Sequence, residues 1–139
     1  MKLIINNYNA SVDLKPFITS VLLPTAVEMF FAYVDRKRYQ PYAKFLQTTY
    51  NLDTPVNIDN ILITGIKNLS VKGNKNSYEI SINSNIISPG VPAKLIDVCA
   101  LVNYGNLSLN PYPIFDIVME KLGEQVPSLY DEYKTAGGE

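Results

Sequence analysis

The chain has 139 residues, 47% of them hydrophobic and 18% charged, which suits one folded domain and excludes a disordered chain. Its 12 basic and 13 acidic residues give a net charge of -1, so no overall field draws it to nucleic acid. Histidine is absent and cysteine occurs once, which excludes histidine-based proton transfer and an internal disulfide.

The N-terminal residues predict a short strand rather than a targeting segment. The apolar run Leu3–Ile5 is followed by the turn-forming asparagines at positions 6, 7 and 9. This run is too short for a signal peptide, and no apolar run elsewhere approaches the length of a membrane span. We therefore expect synthesis in the cytoplasm, no secretion through a signal peptide and no membrane partner.

Two helices are predicted next. Ser11 or Asp13 is placed to cap the first helix, which Pro24 is expected to end. Thr25–Glu28 matches a capping box, in which two side chains satisfy free backbone donors of the first turn. A second helix is therefore expected from this box to about Tyr39.

The middle of the chain predicts one more helix and then strands. Helical spacing resumes after Pro41 and closes near Asn51. The apolar run Ile61–Ile66 is expected to be a strand, and Gly65 within it indicates a bulge.

A β-hairpin is the clearest sequence signal. Leu69–Lys72 and Tyr78–Asn83 alternate between apolar and polar residues on either side of a glycine and asparagine loop at 73–76. Strands grouped between helical blocks predict an α+β fold: a small antiparallel sheet built on this hairpin and covered by N-terminal and C-terminal helices. We expect a single domain over residues 1–134 and a flexible tail at 135–139.

The C-terminal third predicts helices separated by an extended segment. Ala93–Tyr104 has helical spacing, and Gly105 is placed to end it. Asn106–Tyr112 is expected to be extended. Another helix should run from Pro113 to Gly123, and Pro127 is expected to start a last short helix.

No residue set predicts catalysis or metal binding. Cys99 has apolar neighbours and no histidine to lower its pKa, so we interpret it as a core residue. Asp116 and Glu120 lie one helical turn apart and could hold Mg²⁺ or Ca²⁺ together with Asp97, but a solvated helix face explains them better. No glycine-rich phosphate loop is present. We therefore expect a protein that is not an enzyme and has no cofactor or metal.

One basic cluster interleaves cations with aromatic residues, as single-strand nucleic-acid sites do. Helical spacing scatters these cations around the helix, and cations in a last turn also complement the helix dipole. Nucleic-acid binding is therefore an alternative that we do not favour. Its candidate contacts are Arg36, Lys37, Arg38 and Lys44, beside the rings of Tyr39 and Tyr42.

Ten tyrosines against five phenylalanines indicate protein contact surfaces, although part of the excess fits the edge of a core. The stretch Asn106–Pro113 adds proline stiffness and apolar residues at alternate positions. It is expected to be either an edge strand beside the hairpin or an arm that docks on a neighbouring subunit. The candidate interface residues are Tyr39, Tyr42, Tyr104, Leu107, Leu109, Tyr112, Tyr130 and Tyr133.

Two segments, Leu101–Asn106 and Asn110–Ile114, combine a helix end, a turn and a stiff extended stretch. In this the chain resembles small neck and tail proteins of tailed bacteriophages. The resemblance covers about a tenth of the chain. It implies a ring-forming or connector subunit in a virion, whose partners are copies of itself and other structural proteins. It implies no particular site residues.

Overall fold

The computed structural model describes residues 1–6, 12–75 and 77–137. These residues form five helices and a three-stranded antiparallel sheet, which confirms the α+β prediction. The helices are α1 (Lys15–Tyr33), α2 (Gln40–Thr49), α3 (Ile58–Lys67), α4 (Leu95–Tyr104) and α5 (Ile114–Thr135), and the strands are β1 (Lys2–Asn6), β2 (Leu69–Asn74) and β3 (Ser77–Ile82). A short 3₁₀ turn occupies Arg36–Arg38. The residues named in the predictions that lie outside the described ranges are Asn7, Asn9, Ser11, Asn76 and the last two of the predicted tail, 138 and 139. Thr135, the first residue of that predicted tail, is the last residue of α5.

The sheet confirms the predicted hairpin and N-terminal strand. β3 lies between β1 and β2, and its buried Ile80 is aligned with Leu3 on one side and Val71 on the other. Helix α5 covers this apolar face, so closely that a Cβ added at Gly123 would lie 3.1 Å from Leu3 Cδ1. Alternation along each strand places the polar residues on the opposite face, as half-buried strands require.

Helix α1 continues through Pro24, so the predicted break there is wrong. A π-helical segment at Ile18–Leu22 precedes the proline, and Leu23 donates its N–H to the Ile18 carbonyl. A π turn accommodates a residue that has no N–H of its own. The predicted capping box is wrong for the same reason: Thr25 lies inside the helix and its hydroxyl donates to the Val21 carbonyl at 2.7 Å.

The unbroken helix α1 also changes the expectation about membrane-length segments. It has 19 residues, and its most apolar window has a mean hydropathy of 1.3, enough by length and composition for one span. Its apolar stripe lies in the core here, with Phe17, Leu22 and Phe30 almost fully buried against the rest of the domain. Only 33% of this apolar window is buried inside the protein, whereas a core helix that passes the same test of length and composition is mostly buried. Asp13, one of the two predicted caps, accepts a hydrogen bond from the Lys15 N–H at 3.0 Å.

Ile61–Ile66 belongs to helix α3, so the predicted strand is wrong. The buried Ile58, Ile61, Leu62 and Ile66 follow helical spacing, and the Asn57 side chain caps the helix by accepting from the Asn60 N–H at 3.0 Å. Gly65 marks a close approach of helices rather than a bulge. A Cβ at this position would lie 2.9 Å from Cys99 Sγ in α4.

Several helix ends differ from the predicted ones. Helix α1 ends at Tyr33 instead of Tyr39, and the 3₁₀ turn at Arg36–Arg38 leads into α2. Helix α5 runs through Gly123 and Pro127, which the sequence indicated as its end and as a new start. Pro127 is exposed, and because it has no N–H it leaves the carbonyl one helical turn earlier without its helical donor. Helix α4 ends at Gly105 as predicted, and Gly105 has a φ of +69°.

Cys99 lies in the core, as predicted. Its side chain has no exposed surface, and burial raises the pKa of the thiol to about 12. The thiolate needed for nucleophilic chemistry is therefore not formed near neutral pH.

Candidate protein contact site

The segment after α4 is a tight turn rather than an extended arm or an edge strand. The Asn106 side chain accepts hydrogen bonds from the N–H groups of Ser108 and Leu109, both at 2.8 Å. The Asn106 N–H in turn donates to the Leu109 carbonyl at 3.0 Å. The predicted extended conformation of residues 106–109 is wrong because the asparagine side chain closes the backbone on itself. We call residues 105–109 the α4 turn.

Gly105 is the residue that permits this turn. Its φ of +69° is a conformation that side chains other than glycine rarely adopt. A Cβ here would also lie 2.4 Å from the Leu109 carbonyl oxygen, which is backbone and has no room to move aside. The conformation of the turn is therefore determined by Gly105 and Asn106 together.

Leu107 stands at the tip of the α4 turn and is completely exposed, at 108% of the reference area. Tyr104, in the last turn of α4, is 56% exposed, and the Met1 amino group donates to its hydroxyl at 2.9 Å. An apolar side chain held by a hydrogen-bonded turn loses little conformational entropy on binding. The turn therefore holds the backbone of Leu107 in a conformation that is already formed before any partner binds.

Two buried tyrosines anchor the segment that follows the turn. The Tyr42 hydroxyl donates to the Asn110 carbonyl, and the Tyr112 hydroxyl accepts from the Asp35 N–H. The Tyr112 N–H also donates to the Val102 carbonyl at 2.8 Å, which ties the segment back onto α4. Both rings are buried within the chain, and Leu109 is partly buried. Tyr42 and Tyr112 therefore position the α4 turn and do not offer their rings to a partner.

Tyr39 is also buried, and it differs from Tyr42 in one respect. Its hydroxyl has no hydrogen-bond partner among the described residues. Burial, followed by the nearby Asp59 carboxylate, raises the pKa of Tyr39. The ring lines an open groove of about 590 Å³ beside Lys37 and Asn57. The Tyr39 hydroxyl is buried, so this predicted interface residue belongs to the edge of the core.

The basic cluster is largely engaged within the chain. Arg36 Nε lies 2.9 Å from Asp59 Oδ1, and the Arg38 guanidinium lies 4.2 Å from the centre of the Tyr112 ring. Lys37 and Lys44 are exposed. Base stacking requires accessible aromatic faces, whereas Tyr39 and Tyr42 are buried. The cluster as folded therefore lacks the stacking surface that the sequence indicated.

The two C-terminal tyrosines attach the end of α5 to the start of α1. Phe17 packs against the rings of Tyr130 and Tyr133 at centroid distances of 5.1 Å and 5.2 Å. Both tyrosines are partly buried, and the Lys134 ammonium lies 5.5 Å from the centre of the Tyr130 ring. Packing within the chain is therefore sufficient to explain both tyrosines.

An apolar groove of about 200 Å³ lies between α2 and α4, a feature that the sequence analysis did not anticipate. Its apolar lining includes Phe45 and Leu46 from α2 and Val98 and Leu101 from α4, with Thr49 and Asp97 among the polar residues. Tyr50 lines it at the end of α2 and is itself exposed. We call this the α2–α4 groove.

Several exposed apolar side chains lie on or next to helices α2 and α4, and Tyr50 is the one among them that lines the groove. Of the seven large hydrophobic side chains that are exposed in the described part of the chain, four belong to this region: Tyr50, Ile87, Tyr104 and Leu107. The backbone of Ile87 pairs with Lys94, next to the groove residue Ala93. We use the term α2–α4 face for these four side chains together with the groove.

The acidic residues considered for metal binding are not gathered together. Asp116 accepts a hydrogen bond from the Met1 amino group at 2.7 Å. Asp97 lies at the α2–α4 groove instead. In residues 1–6, 12–75 and 77–137, no group of three or more Cys, Asp or Glu side chains is close enough to hold a metal ion.

Comparison with known proteins identifies no family for the chain. No protein-family model matches it, and no curated protein or solved structure matches it either.

Proposed function

We propose that this protein is a non-enzymatic assembly subunit that binds copies of itself and other structural proteins. The observation that carries the proposal is Leu107, an aliphatic side chain fully exposed at the tip of a hydrogen-bonded turn. Exposed apolar surface that is grouped rather than scattered marks sites of protein contact. Four of the seven exposed large hydrophobic side chains of the described residues lie on or next to α2 and α4: Tyr50, Ile87, Tyr104 and Leu107.

The chemistry of the α2–α4 face also supports protein contact. Tyr50 and Tyr104 bring aromatic area with polar hydroxyls, which is the residue type enriched at interfaces. The net charge of -1 offers little electrostatic resistance to self-association. The burial of Cys99, with its raised pKa, supports a function that does not depend on nucleophilic catalysis.

The assembly that we propose is the neck or tail of a tailed bacteriophage particle. The support for this part of the proposal is the sequence resemblance of Leu101–Asn106 and Asn110–Ile114. In the structure these segments hold the end of α4, the first two residues of the α4 turn and the anchor at Tyr112. Such a subunit is made in the cytoplasm and then incorporated into the virion.

Native mass spectrometry of the chain at several micromolar concentrations tests the proposal. A discrete oligomer whose fraction rises with concentration is the expected result. A monomer at every concentration would overturn self-association. Oligonucleotide binding measured across a salt titration tests the alternative, because phosphate contacts release counterions and weaken as salt rises. Tight, salt-dependent binding together with a monomeric mass would favour the basic cluster over the α2–α4 face.

A further inference from the structure

We infer that the open groove at the start of helix α3 binds the phosphate group of a small ligand. The groove is formed by the 3₁₀ turn, the start of α2 and residues 55–59, and its volume is about 590 Å³. We call it the α3 groove. The groups that would hold the phosphate are two backbone N–H groups of α3, the Lys37 ammonium and the Tyr39 hydroxyl. The inference goes beyond the proposed assembly function and does not depend on self-association.

The first feature of the α3 groove is the start of the helix. The first backbone N–H groups of a helix have no partner within it. The Asn57 side chain satisfies one of them, because it accepts from the Asn60 N–H at 3.0 Å. The N–H groups of Ile58 and Asp59 have no partner among the described residues. Such N–H groups, together with the positive end of the helix dipole, are suited to binding phosphate.

The second feature is the Tyr39 hydroxyl, which lies outside α3. Tyr39 lines the groove and is only 8% exposed, and its hydroxyl has no hydrogen-bond partner among the described residues. Burial raises the pKa of Tyr39 most, the Asp59 carboxylate raises it further and Arg36 lowers it, so the hydroxyl lies near two residues of the groove wall. Buried polar groups in folded proteins are normally hydrogen-bonded. A ligand oxygen in the groove would supply the missing acceptor.

The charges around the groove favour an anion. Arg36 Nε lies 2.9 Å from Asp59 Oδ1, so these two charges offset each other. Lys37 is exposed and forms no ion pair within the part of the chain that the structure describes. The groove therefore has one uncompensated cation beside the positive end of a helix. Because the Tyr39 hydroxyl is covered, a side chain must move when the ligand enters, and the long exposed side chains of Arg36, Lys37 and Gln40 can do so.

The size and lining of the groove indicate a phosphate that is carried on a larger group. A volume of about 590 Å³ lies within the range of small-molecule sites and exceeds the size of a free phosphate ion. Ala43, Val56 and Ile58 give the groove an apolar part. A phosphate monoester can place its phosphate at the start of α3 and its uncharged part against these side chains. Inorganic phosphate has the same charged chemistry, so the two ligands are compared directly.

Amide NMR spectra of the isotope-labelled full-length chain test the site. Inorganic phosphate and phenyl phosphate are titrated at constant ionic strength, and we expect saturable shifts of the Ile58 and Asp59 amide signals. Lys37→Gln and Tyr39→Phe should each weaken binding about tenfold, because each removes one hydrogen bond to a charged ligand. Lys44→Gln is the matched control, since Lys44 is an exposed cation of α2 that does not line the groove. It should leave the affinity unchanged.

Tighter binding of phenyl phosphate would identify a phosphate ester as the ligand class, and equal binding would identify free phosphate. No saturable shift with either compound at roughly 10 mM, ten times a millimolar Kd, would overturn the inference. Equal weakening by Lys37→Gln and Lys44→Gln, with no loss for Tyr39→Phe, would overturn it too, because that pattern reports attraction to surface charge alone. The dispersion of the same spectra verifies that each variant is folded.

Discussion

The α4 turn and the basic segment at 35–44 were both indicated by the sequence as contact regions, and they differ in where the apolar groups lie. The α4 turn directs Leu107 into solvent and uses Asn106 to hold it there. The basic segment buries Tyr39 and Tyr42, and Arg38 covers the ring of Tyr112. Aromatic and cationic residues in sequence therefore do not define a contact site, because the same residues also close the edge of a core.

The two regions are also joined by hydrogen bonds. Tyr42 and the backbone of Asp35 belong to the basic segment, and they hydrogen-bond to Asn110 and Tyr112 beyond the turn. The basic segment thus supports the surface that the α4 turn presents. Substitutions in the basic segment should therefore change stability, whereas substitution of Leu107 in the α4 turn should change assembly.

Gly105→Ala should have the largest effect on stability. Its Cβ would meet the Leu109 carbonyl oxygen at 2.4 Å in a left-handed conformation, so we expect a loss of roughly 3 kcal/mol in the free energy of unfolding. Gly90→Ala is the matched control, because Gly90 also has a positive φ but no atom lies within 4 Å of its added Cβ. It should cost only about 1 kcal/mol. Urea unfolding of both variants measures the difference, and equal losses would contradict the described packing of the turn.

Tyr42→Phe should reduce stability more than Tyr39→Phe, because only the Tyr42 hydroxyl donates a hydrogen bond to the segment that follows the α4 turn. Removing the Tyr42 hydroxyl leaves the Asn110 carbonyl without this donor, at a cost of about 1 kcal/mol. The Tyr39 hydroxyl has no hydrogen-bond partner among the described residues, so its removal should leave the unfolding free energy unchanged or raise it. The midpoint of urea unfolding is the measurement. A larger loss for Tyr39→Phe than for Tyr42→Phe would show that the hydrogen-bond assignment is wrong.

Arg38→Ala should have a smaller effect. The guanidinium lies 4.2 Å from the centre of the Tyr112 ring, and an exposed cation–π contact contributes about 0.5 kcal/mol. Lys44→Ala removes a similar charge from an exposed position in the same segment, and it should leave the melting temperature unchanged. If both substitutions acted alike, Arg38 would have no special role in holding Tyr112.

The sheet and helix α4 could be predicted because their signals are local. Alternation on either side of the 73–76 loop specifies the hairpin, and Gly105 at the end of a helical pattern specifies the end of α4. Helix α3 was missed because a short apolar run such as Ile61–Ile66 fits a buried strand as well as a buried helix. Pro24 and Pro127 indicate helix boundaries in the sequence, but in the structure a π-helical segment precedes Pro24, and Pro127 lies at an exposed position inside α5.

The candidate site was only partly predictable. Leu107 and Tyr104 were named from the sequence, but so were Tyr42 and Tyr112, which the fold buries. Tyrosine is intermediate in burial, so its position relative to the surface depends on tertiary contacts such as the one between Tyr42 and Asn110. The α2–α4 groove arises where two helices distant in sequence meet, and no local pattern in either helix reports it.

The most direct test compares Leu107→Ser with Ile4→Ser by native mass spectrometry. Each variant removes one exposed aliphatic side chain, from the α4 turn or from β1. Urea unfolding at concentrations low enough to keep every version monomeric should give both a free energy within about 0.5 kcal/mol of the wild type, because neither side chain is part of the core. We expect the wild type and Ile4→Ser to be oligomeric and Leu107→Ser to be monomeric at the same concentration. An oligomer that survives Leu107→Ser would contradict the assignment of the α4 turn as the contact site.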